Sequence, residues 1–379
     1  MKKADILIRN GCVVDPFRDI QAVGTIAIAD GRIVDAAEYT GAEQEVDASG
    51  CLVCPGLIDF HVHVTSNISD MATDPMMVSF PNGVTTLAEG GSAGTANYEA
   101  FRAFSMMLPV RIKVMLHVCP EGNITAQHHE NQNPAYWDKK RIHRYFDKYA
   151  DQIFGLKIRM DCRCLDGLGI DPLVRAIELA EEVGCPLICH TTNPPVPMNE
   201  LIKYFRPGDV FTHIYHGTAP TILDENGKLI DGILQAQKRG VLLDASNGRM
   251  NFSNRVAQTA IKAGLLPDII STDLTASTAF IDNKNVVSLP FLMSKYLAFG
   301  LPLKEVIRRV TEIPARTLQM LPEIGTLAIG SCADVTILRL LERTQIFKDL
   351  SGDSFEGNSL LKPEMTIREG IAVYRQIDF

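Results

Sequence analysis

Short apolar stretches alternate with longer segments of helical period through the middle of this sequence, and this alternation constrains the fold more than any other feature. Helical segments such as residues 171–183 separate the stretches. Alternating strands and helices are typical of βα units around a parallel sheet, and eight such units predict a (β/α)8 barrel, the TIM-barrel fold. Eight stretches have the length and composition of buried strands: residues 58–64, 84–88, 112–118, 153–158, 186–190, 210–213, 241–245 and 268–273.

The two ends of the chain have a different character, because short apolar runs there follow one another with tight turns between them. Asp30-Gly31 lies between two such runs, and Asp-Gly in this position is a typical hairpin signal. Glu369-Gly370 has a similar setting near the C-terminus. Because neither end is long enough to fold separately, we predict one small β-sandwich built from residues 1–54 and 322–379, next to a barrel of residues 55–321.

Composition excludes several classes of function. The net charge of −8 and the lack of a long Lys/Arg cluster argue against a nucleic-acid partner. No apolar stretch approaches the roughly 20 residues of a membrane span, and no signal-peptide pattern is visible, so a cytoplasmic protein without a membrane partner is expected. The nine cysteines are odd in number and scattered through predicted strands and helices, which indicates reduced thiols. Cys162, Cys164, Cys185 and Cys189 lack the paired spacing of a zinc knuckle and are not expected to form a zinc site. A small molecule is the expected partner.

Four histidines stand at the ends of predicted strands. His61 and His63 end the first strand, His190 ends the fifth and His213 ends the sixth. In a (β/α)8 barrel the carboxyl ends of all strands open at one mouth. Residues 61 and 63 face the same way because side chains on a strand alternate with a period of two. The four imidazoles are therefore predicted to meet at one metal site.

Lys157 and Asp273 end the fourth and the eighth predicted strands. Lys157 lies inside an apolar run, where burial lowers the pKa of an amine, and a neutral amine can react with CO2 to give a carbamate that bridges two cations. Each such residue alone is more often structural: a hydrogen-bonded histidine, a helix N-cap or a surface lysine. Their joint placement on strands one, four, five, six and eight favours a two-metal centre over these separate explanations.

Two segments carry a resemblance to a known family. Pro55-Gly56-Leu57-Ile58-Asp59-Phe60-His61-Val62-His63 resembles the first-strand motif of the amidohydrolase superfamily, and Gly330-Ser331-Cys332-Ala333-Asp334-Val335 resembles its C-terminal signature. The segments around Lys157, His213 and Asp273 are similar to the dihydroorotase-like deacetylase branch, and the resemblance covers nearly the whole chain. It implies two divalent cations, expected to be Zn²⁺, bridged by a carboxylated Lys157, in a protein of a superfamily whose members often form homo-oligomers.

The resemblance and the ligand geometry together assign roles to these residues. His61, His63 and Asp273 are expected to hold the more buried cation, and His190 and His213 the more exposed one. A hydroxide between the cations would attack the substrate, with Asp273 as general base and then general acid. The expected reaction is deacetylase-like hydrolysis of an amide or ester bond in a small anionic substrate. Four more residues near the mouth are predicted to bind the anionic group: Arg159, His216, Asn247 and Arg249.

Two positions depart from the pattern of that branch. Ser246-Asn247-Gly248-Arg249 stands where the branch has Gly-His-Gly, and Thr275 stands where it has His. Neither position is a metal ligand in the pattern, so the chemistry is expected to survive. Both lie where the substrate is recognised, and the substrates of relatives therefore do not transfer directly.

Three alternatives stay open. A cyclic amidase of the dihydroorotase or hydantoinase kind belongs to the same superfamily. A mononuclear deaminase usually has a carboxylate after strand five, whereas His190 is followed by Thr-Thr-Asn-Pro-Pro. A non-catalytic scaffold with this fold typically loses metal ligands, and this sequence keeps all six. The mixed nitrogen and oxygen ligands would also suit Mn, Fe or Co.

Overall fold

A computed structural model describes residues 2–281 and 286–379 of the chain. The first five strands form the N-terminal part of one sheet: β1 (Lys2–Asp15), β2 (Ile20–Ala29), β3 (Arg32–Val34), β4 (Tyr39–Asp47) and β5 (Leu52–Pro55). The predicted hairpin turn between β2 and β3 is confirmed. Asp30 and Gly31 both have positive φ angles, of 52° and 71°, as tight two-residue hairpin loops require.

The next strands are parallel and follow one another in chain order around a second sheet. They are β6 (Leu57–Val62), β7 (Val84–Glu89), β8 (Arg111–His117), β9 (Ile153–Arg159), β10 (Leu187–His190), β11 (Val210–Thr212) and β12 (Leu242–Asp244). Each matches a predicted strand to within one or two residues. Their apolar side chains, among them Ile58, Met115 and Ile188, pack into a common buried cluster.

The eighth predicted strand, residues 268–273, is not a continuous strand, but it occupies the eighth position of the ring. Single bridges pair Asp244 with Ile269 and Val62 with Leu274. The Asp273 amide donates to the His61 carbonyl at 2.7 Å, and the His63 amide donates to the Leu274 carbonyl at 2.9 Å. This segment therefore joins β12 to β6 and closes a TIM-barrel-like α/β fold.

Helices fill the connections between the barrel strands. They are α1 (Pro75–Val78), α2 (Tyr98–Ser105), α3 (Lys139–Lys148), α4 (Cys162–Leu165), α5 (Asp171–Glu182), α6 (Met198–Leu201), α7 (Asp231–Lys238), α8 (Asn254–Lys262), α9 (Leu289–Ala298), α10 (Leu303–Arg308) and α11 (Glu312–Thr317). Short turns of 3-10 helix lie at Ala36–Glu38, Phe80–Asn82, Pro134–Tyr136 and Ile202–Tyr204, and a π-helical turn at Ser277–Ile281. Across the described residues, none of these helices has the length and hydropathy needed to cross a membrane.

The C-terminal strands complete the first sheet: β13 (Val335–Lys348), β14 (Ser354–Arg368) and β15 (Ile371–Arg375). The order is β15-β14-β13-β5-β1-β2-β3, with β4 paired to β1. The prediction that both ends of the chain share one β-structure is confirmed. The N-terminal and C-terminal strands form one continuous sheet, because β5 pairs with both β1 and β13. The predicted two-sheet sandwich is therefore not confirmed. The domain boundaries at residues 54/55 and 321/322 stay a prediction.

A buried ion-pair network ties the terminal sheet to the barrel. Asp334, immediately before β13, is 2% exposed and accepts a hydrogen bond from Arg111 of β8 at 2.6 Å. It also accepts from Arg368 of β14 at 3.4 Å and from the Glu369 amide at 2.9 Å. Although burial alone would raise the pKa of Asp334, the two arginines hold that pKa below its usual value. The carboxylate therefore stays charged between the two guanidinium groups.

Replacing Asp334 by Ala is expected to lower the free energy of unfolding by about 3–5 kcal/mol, because the buried Arg368 and the half-buried Arg111 would lose a shared counter-charge. Urea denaturation followed by circular dichroism measures this change. Asp378→Ala is the matched control, since Asp378 pairs with Lys362 at the surface at 3.5 Å and should cost less than about 1 kcal/mol. Equal losses for the two variants would contradict the assignment of Asp334 as a buried anchor.

Candidate metal centre

The structure brings all six predicted ligands to the wall of one cavity of about 360 Å³. Five of them stand in or directly after a barrel strand, and Asp273 stands in the segment that closes the ring. They reach the same space because the carboxyl ends of the parallel strands lie at one end of the barrel. The six lining residues are His61, His63, Lys157, His190, His213 and Asp273.

His61, His63 and Asp273 converge on one point. Asp273 Oδ1 lies 3.3 Å from His63 Nε2 and 3.8 Å from His61 Nε2, and one ligand atom from each residue falls within 4.8 Å of the others. Although burial lowers the pKa of His63, hydrogen bonds to Asp273 and Glu89 raise it to about 9. Burial alone would raise the pKa of Asp273, but the histidines hold it far below its usual value. Without a cation, His63 and Asp273 therefore share a proton, and a divalent cation bound here would displace it.

Lys157 is 4% exposed, and its Nζ lies 3.1 Å from His61 Nε2. Burial lowers the pKa of this amine to about 8, although the carboxylates of Asp273 and Asp244 oppose the shift. About a tenth of the amine is therefore uncharged at pH 7, far more than for an ordinary lysine, and the uncharged form is the one that reacts with CO2. The position and the protonation state both fit a carbamate-forming lysine.

His190 and His213 form the other half of the group, with ring centroids 4.5 Å apart. His213 Nδ1 donates to the Ser246 carbonyl at 2.8 Å, which leaves the lone pair of Nε2 free. His190 Nε2 is buried and has no hydrogen-bond partner in the described part of the chain. Burial lowers the pKa of His190 far below its usual value, and that of His213 to about 3, so both imidazoles are neutral, as metal ligands must be. The donor set therefore fits two divalent cations.

Two of the six residues have backbone conformations that side chains rarely adopt. His213 has a φ angle of 67° and Asp273 one of 53°. Hydrogen bonds to neighbouring strands hold them there, since the His213 amide donates to the Asp244 carbonyl at 2.9 Å. Strain of this kind costs about 1–3 kcal/mol per residue and is concentrated at functional sites.

Several residues that sequence reasoning did not assign support the candidate ligands. Asp244 accepts from His61 Nδ1 at 3.3 Å, Ser92 Oγ lies 2.7 Å from His63 Nδ1, and Asn251 donates to Asp273 Oδ2 at 2.9 Å. A carboxylate behind a histidine fixes the ring so that its other nitrogen faces the metal. Asp244 could have been found, because it ends a predicted strand. Ser92 and Asn251 lie in loops, where no periodic pattern marks them.

Gly90 leaves the space that the histidine rings occupy. A Cβ at this position would lie 2.6 Å from His61 Cδ2 and 3.2 Å from His63 Cε1. Both distances are shorter than ordinary van der Waals contacts, so any larger residue would displace the rings. The absence of a side chain at position 90 is therefore part of the site.

Gly90→Ala is expected to keep the fold but to weaken metal binding and activity by about ten- to a hundredfold, because both histidine rings must move. Metal content by elemental analysis and turnover are the measurements. Gly41→Ala is the matched control, since no atom lies within 4 Å of a Cβ built there. Normal metal content and turnover in Gly90→Ala would show that the rings do not need this space.

The structure divides the four predicted substrate-binding residues into two pairs. Arg159 and Arg249 line the cavity. His216 and Asn247 are fully buried behind it, and Asn247 Oδ1 accepts from the Tyr296 hydroxyl at 3.2 Å. A substrate contact by His216 or Asn247 therefore finds no support in their position. Two segments depart from the family pattern, residues 246–249 and Thr275. Thr275 lines the cavity, and in the first segment Arg249 lines it whereas Asn247 does not.

Arg159 is also less available than predicted, because two carboxylates already flank it. Arg159 Nη2 lies 3.1 Å from Asp161 Oδ2, and Arg159 Nη1 lies 3.6 Å from Glu130 Oε2. Asp161 and Glu130 are themselves buried, and neither was assigned a role from sequence. The charge of Arg159 is therefore largely balanced within the cavity wall.

Comparison with known proteins bears on this arrangement. A model of the amidohydrolase family matches residues 52–370. A deacetylase of Agrobacterium fabrum, Atu3266, is 31% identical over 360 residues, which cover 92% of this chain and 86% of that protein. A crystal structure of an adenine deaminase superimposes with a TM-score of 0.91 at 28% identity, covering 99% of this chain and 100% of the other. A crystal structure of a dihydroorotase gives a TM-score of 0.88 at 29% identity, with coverage of 99% and 98%.

Proposed function

The chain belongs to the amidohydrolase family, and on that premise we propose that it is a binuclear metallohydrolase with deacetylase-like activity on a small anionic substrate. The proposal rests on one observation: Lys157, Asp273 and the four histidines at positions 61, 63, 190 and 213 line the same cavity. The 31% identity to a protein named as a deacetylase supports this choice of bond among those that the family hydrolyses.

We assign the six residues to two divalent cations, with Zn²⁺ the expected metal. His61, His63 and Asp273 would hold one cation, His190 and His213 the other, and Lys157 as its carbamate would bridge them. The metals would supply an acidified water near neutral pH and an electrophile for the substrate carbonyl. Asp244 and Ser92 keep the rings of His61 and His63 oriented for this task.

Asp273 is the proposed general base and acid. Its Oδ1 faces the two histidines of β6, and its Oδ2 accepts the hydrogen bond from Asn251. The carboxylate is ionised, because the surrounding histidines hold its pKa far below its usual value. In this ionised form, and with Oδ1 directed into the cavity, it is placed to take a proton from the attacking water and pass that proton to the leaving nitrogen or oxygen.

An anionic substrate suits the charge of the cavity wall. Arg249 lines the cavity together with Met250 and Asn251, and Arg163 lines it as well. We assign the contact with the substrate's negative group to Arg249 because its side chain belongs to the lining of the same cavity as the six candidate ligands. Thr275 lines the same cavity, and the pattern that the sequence resembles has a histidine there, so we infer that recognition of the substrate differs at this position.

Deamination is a weaker candidate than deacetylation. A one-metal deaminase needs an additional acid–base group near the strand that ends at His190, and the residues that follow are Thr191 and Thr192. Their hydroxyls are used internally: Thr191 donates to the Thr212 carbonyl at 2.6 Å, and Thr192 donates to Asn251 Oδ1 at 2.9 Å. Ring opening of a cyclic amide stays the second candidate, since a dihydroorotase structure is among the neighbours.

The test combines a metal count with a substrate panel. Purified protein is expected to contain close to two metal ions per chain and to release acetate from members of a panel of N-acetyl and O-acetyl carboxylic acids. Release of ammonia from aminopurines with one metal per chain would replace the proposal by a deaminase. Hydrolysis of cyclic imides alone would favour the cyclic amidase. If no compound of any of these classes is hydrolysed when zinc and bicarbonate are supplied, the protein would have to be interpreted as a non-catalytic scaffold.

A further inference from the structure

A second group of side chains that could hold a metal ion includes two residues of the cavity wall, His129 and Glu130, and lies apart from the six residues of the barrel centre. It consists of His129, Glu130 and Cys164, whose candidate ligand atoms all lie within 4.8 Å of one another. Glu130 is 3% exposed and Cys164 is 6% exposed, whereas His129 is exposed. His129 and Glu130 come from the long connection after β8, and Cys164 comes from α4 after β9. Two separate loops therefore bring these three donors together.

Glu130 has spare capacity to bind a ligand. Its Oε1 is buried without a hydrogen-bond partner among the described residues, and the same holds for His117 Nε2, 3.7 Å away. Its Oε2 lies 3.6 Å from Arg159 and 3.9 Å from the thiol of Cys164, both long contacts. Burial alone would raise the pKa of Glu130, but His117 and Arg159 lower it to about 2, so the carboxylate is ionised. A buried charge with an unpartnered oxygen is costly unless something pairs with it.

Cys164 has no role in the barrel centre. Burial raises the pKa of its thiol to about 12, so without a cation the sulfur keeps its proton. A divalent cation of the zinc class binds the thiolate and displaces that proton to solvent. One sulfur, one imidazole and one carboxylate are a donor set that such a cation accepts in tetrahedral geometry, with solvent in the fourth position.

We propose that His129, Glu130 and Cys164 form a third cation site, for a divalent ion of the zinc class, in the wall of the active cavity. The nearby Arg159 opposes a second positive charge, but the carboxylate of Asp161, 3.1 Å from Arg159, and the new thiolate balance it. The exposed His129 side chain can rotate to close the remaining distance. A cation bound here pairs with the Glu130 carboxylate, which then balances less of the charge of Arg159. The cavity wall becomes more positive and attracts an anionic group of the substrate more strongly.

Cobalt substitution tests the site separately from the barrel centre. None of the six barrel residues offers sulfur, so a sulfur-to-cobalt charge-transfer band can come only from a cysteine ligand. Full-length protein whose metal has been replaced by Co²⁺ under reducing conditions is expected to bind a third equivalent and to show this near-ultraviolet band. Cys164→Ser should remove the band, and Cys162→Ser, which changes an exposed cysteine in the same helix, should keep it.

His129→Ala provides a second variant that does not disturb a buried position. It is expected to weaken the third equivalent by about tenfold or more while the first two equivalents bind normally. Absence of the band from the wild-type protein at saturating Co²⁺, or its persistence in Cys164→Ser, would overturn the site. The outcome is independent of the proposed function, because inactivity toward every acetylated compound would leave the cobalt spectrum unchanged.

Discussion

Lys157→Ala is expected to abolish turnover and to reduce the metal content from two ions per chain to about one. The lysine enters the cavity from β9, where its side chain passes against Gly91: a Cβ at position 91 would lie 2.5 Å from Lys157 Cγ. Its amine stands 3.1 Å from His61, at the junction between the two groups of histidines. Loss of the proposed bridge would leave His190 and His213 as the main ligands of one cation, too few to retain it.

The expected loss of activity is about a thousandfold or more, because nucleophile formation and carbonyl polarisation would both depend on the proposed pair of cations. Added acetate or propionate should partly restore turnover and the second metal by taking the place of the carbamate. Lys113→Ala is the matched control: Lys113 is also a buried lysine on a barrel strand, but its amine donates to the Asp151 carbonyl. Full zinc content and full rate in Lys157→Ala would rule out a carbamate bridge.

Asp273→Asn is expected to lower kcat by about 10²- to 10⁴-fold, the usual contribution of a positioned acid–base group. The change keeps the shape of the side chain but removes the charge that faces His61 and His63. Affinity for the cation at these histidines should also fall, because a neutral amide is a weaker ligand than a carboxylate. Steady-state kinetics with metal content measured on the same samples separates the two effects.

Asp268→Asn is the matched control for this variant, since it changes a carboxylate in the same closing segment. Asp268 accepts from the Leu243 amide at 2.9 Å and from Gln237 at 3.0 Å, away from the cavity. It should affect stability but leave kcat close to that of the wild type. If Asp273→Asn, with two metals bound, turned over at the wild-type rate, proton transfer would have to be assigned to another residue.

The residue pattern alone predicted the parts of the site that depend on local periodicity. Strands β6 to β12 lie where apolar runs predicted them, and a polar residue at the end of such a run has to face the mouth. His61 and His63 meet Asp273 because a strand repeats every two residues and the ring of strands brings the eighth back to the first. The hairpin turns at Asp30 and Glu369 follow from the same kind of local rule.

The predictions that the structure does not support, and the residues that were missed, depend on neighbours distant in sequence. Arg159 was predicted to bind substrate, but Asp161 and Glu130 already balance it, and Glu130 lies in a loop without periodic pattern. Asn247 departs from the family pattern, yet its amide faces Tyr296 and not the cavity. The packing of a loop on other segments decides whether a side chain in that loop faces the cavity or the protein interior.

The sequence by itself determined the barrel and its ring of candidate metal ligands, because strand periodicity and strand order follow from local runs of side chains. The tertiary structure alone decided three things: that the terminal strands form one continuous sheet, that Ser92 and Asn251 contact His63 and Asp273, and that His129, Glu130 and Cys164 meet. Each depends on segments far apart in the chain, whose contacts are fixed only when the whole core packs.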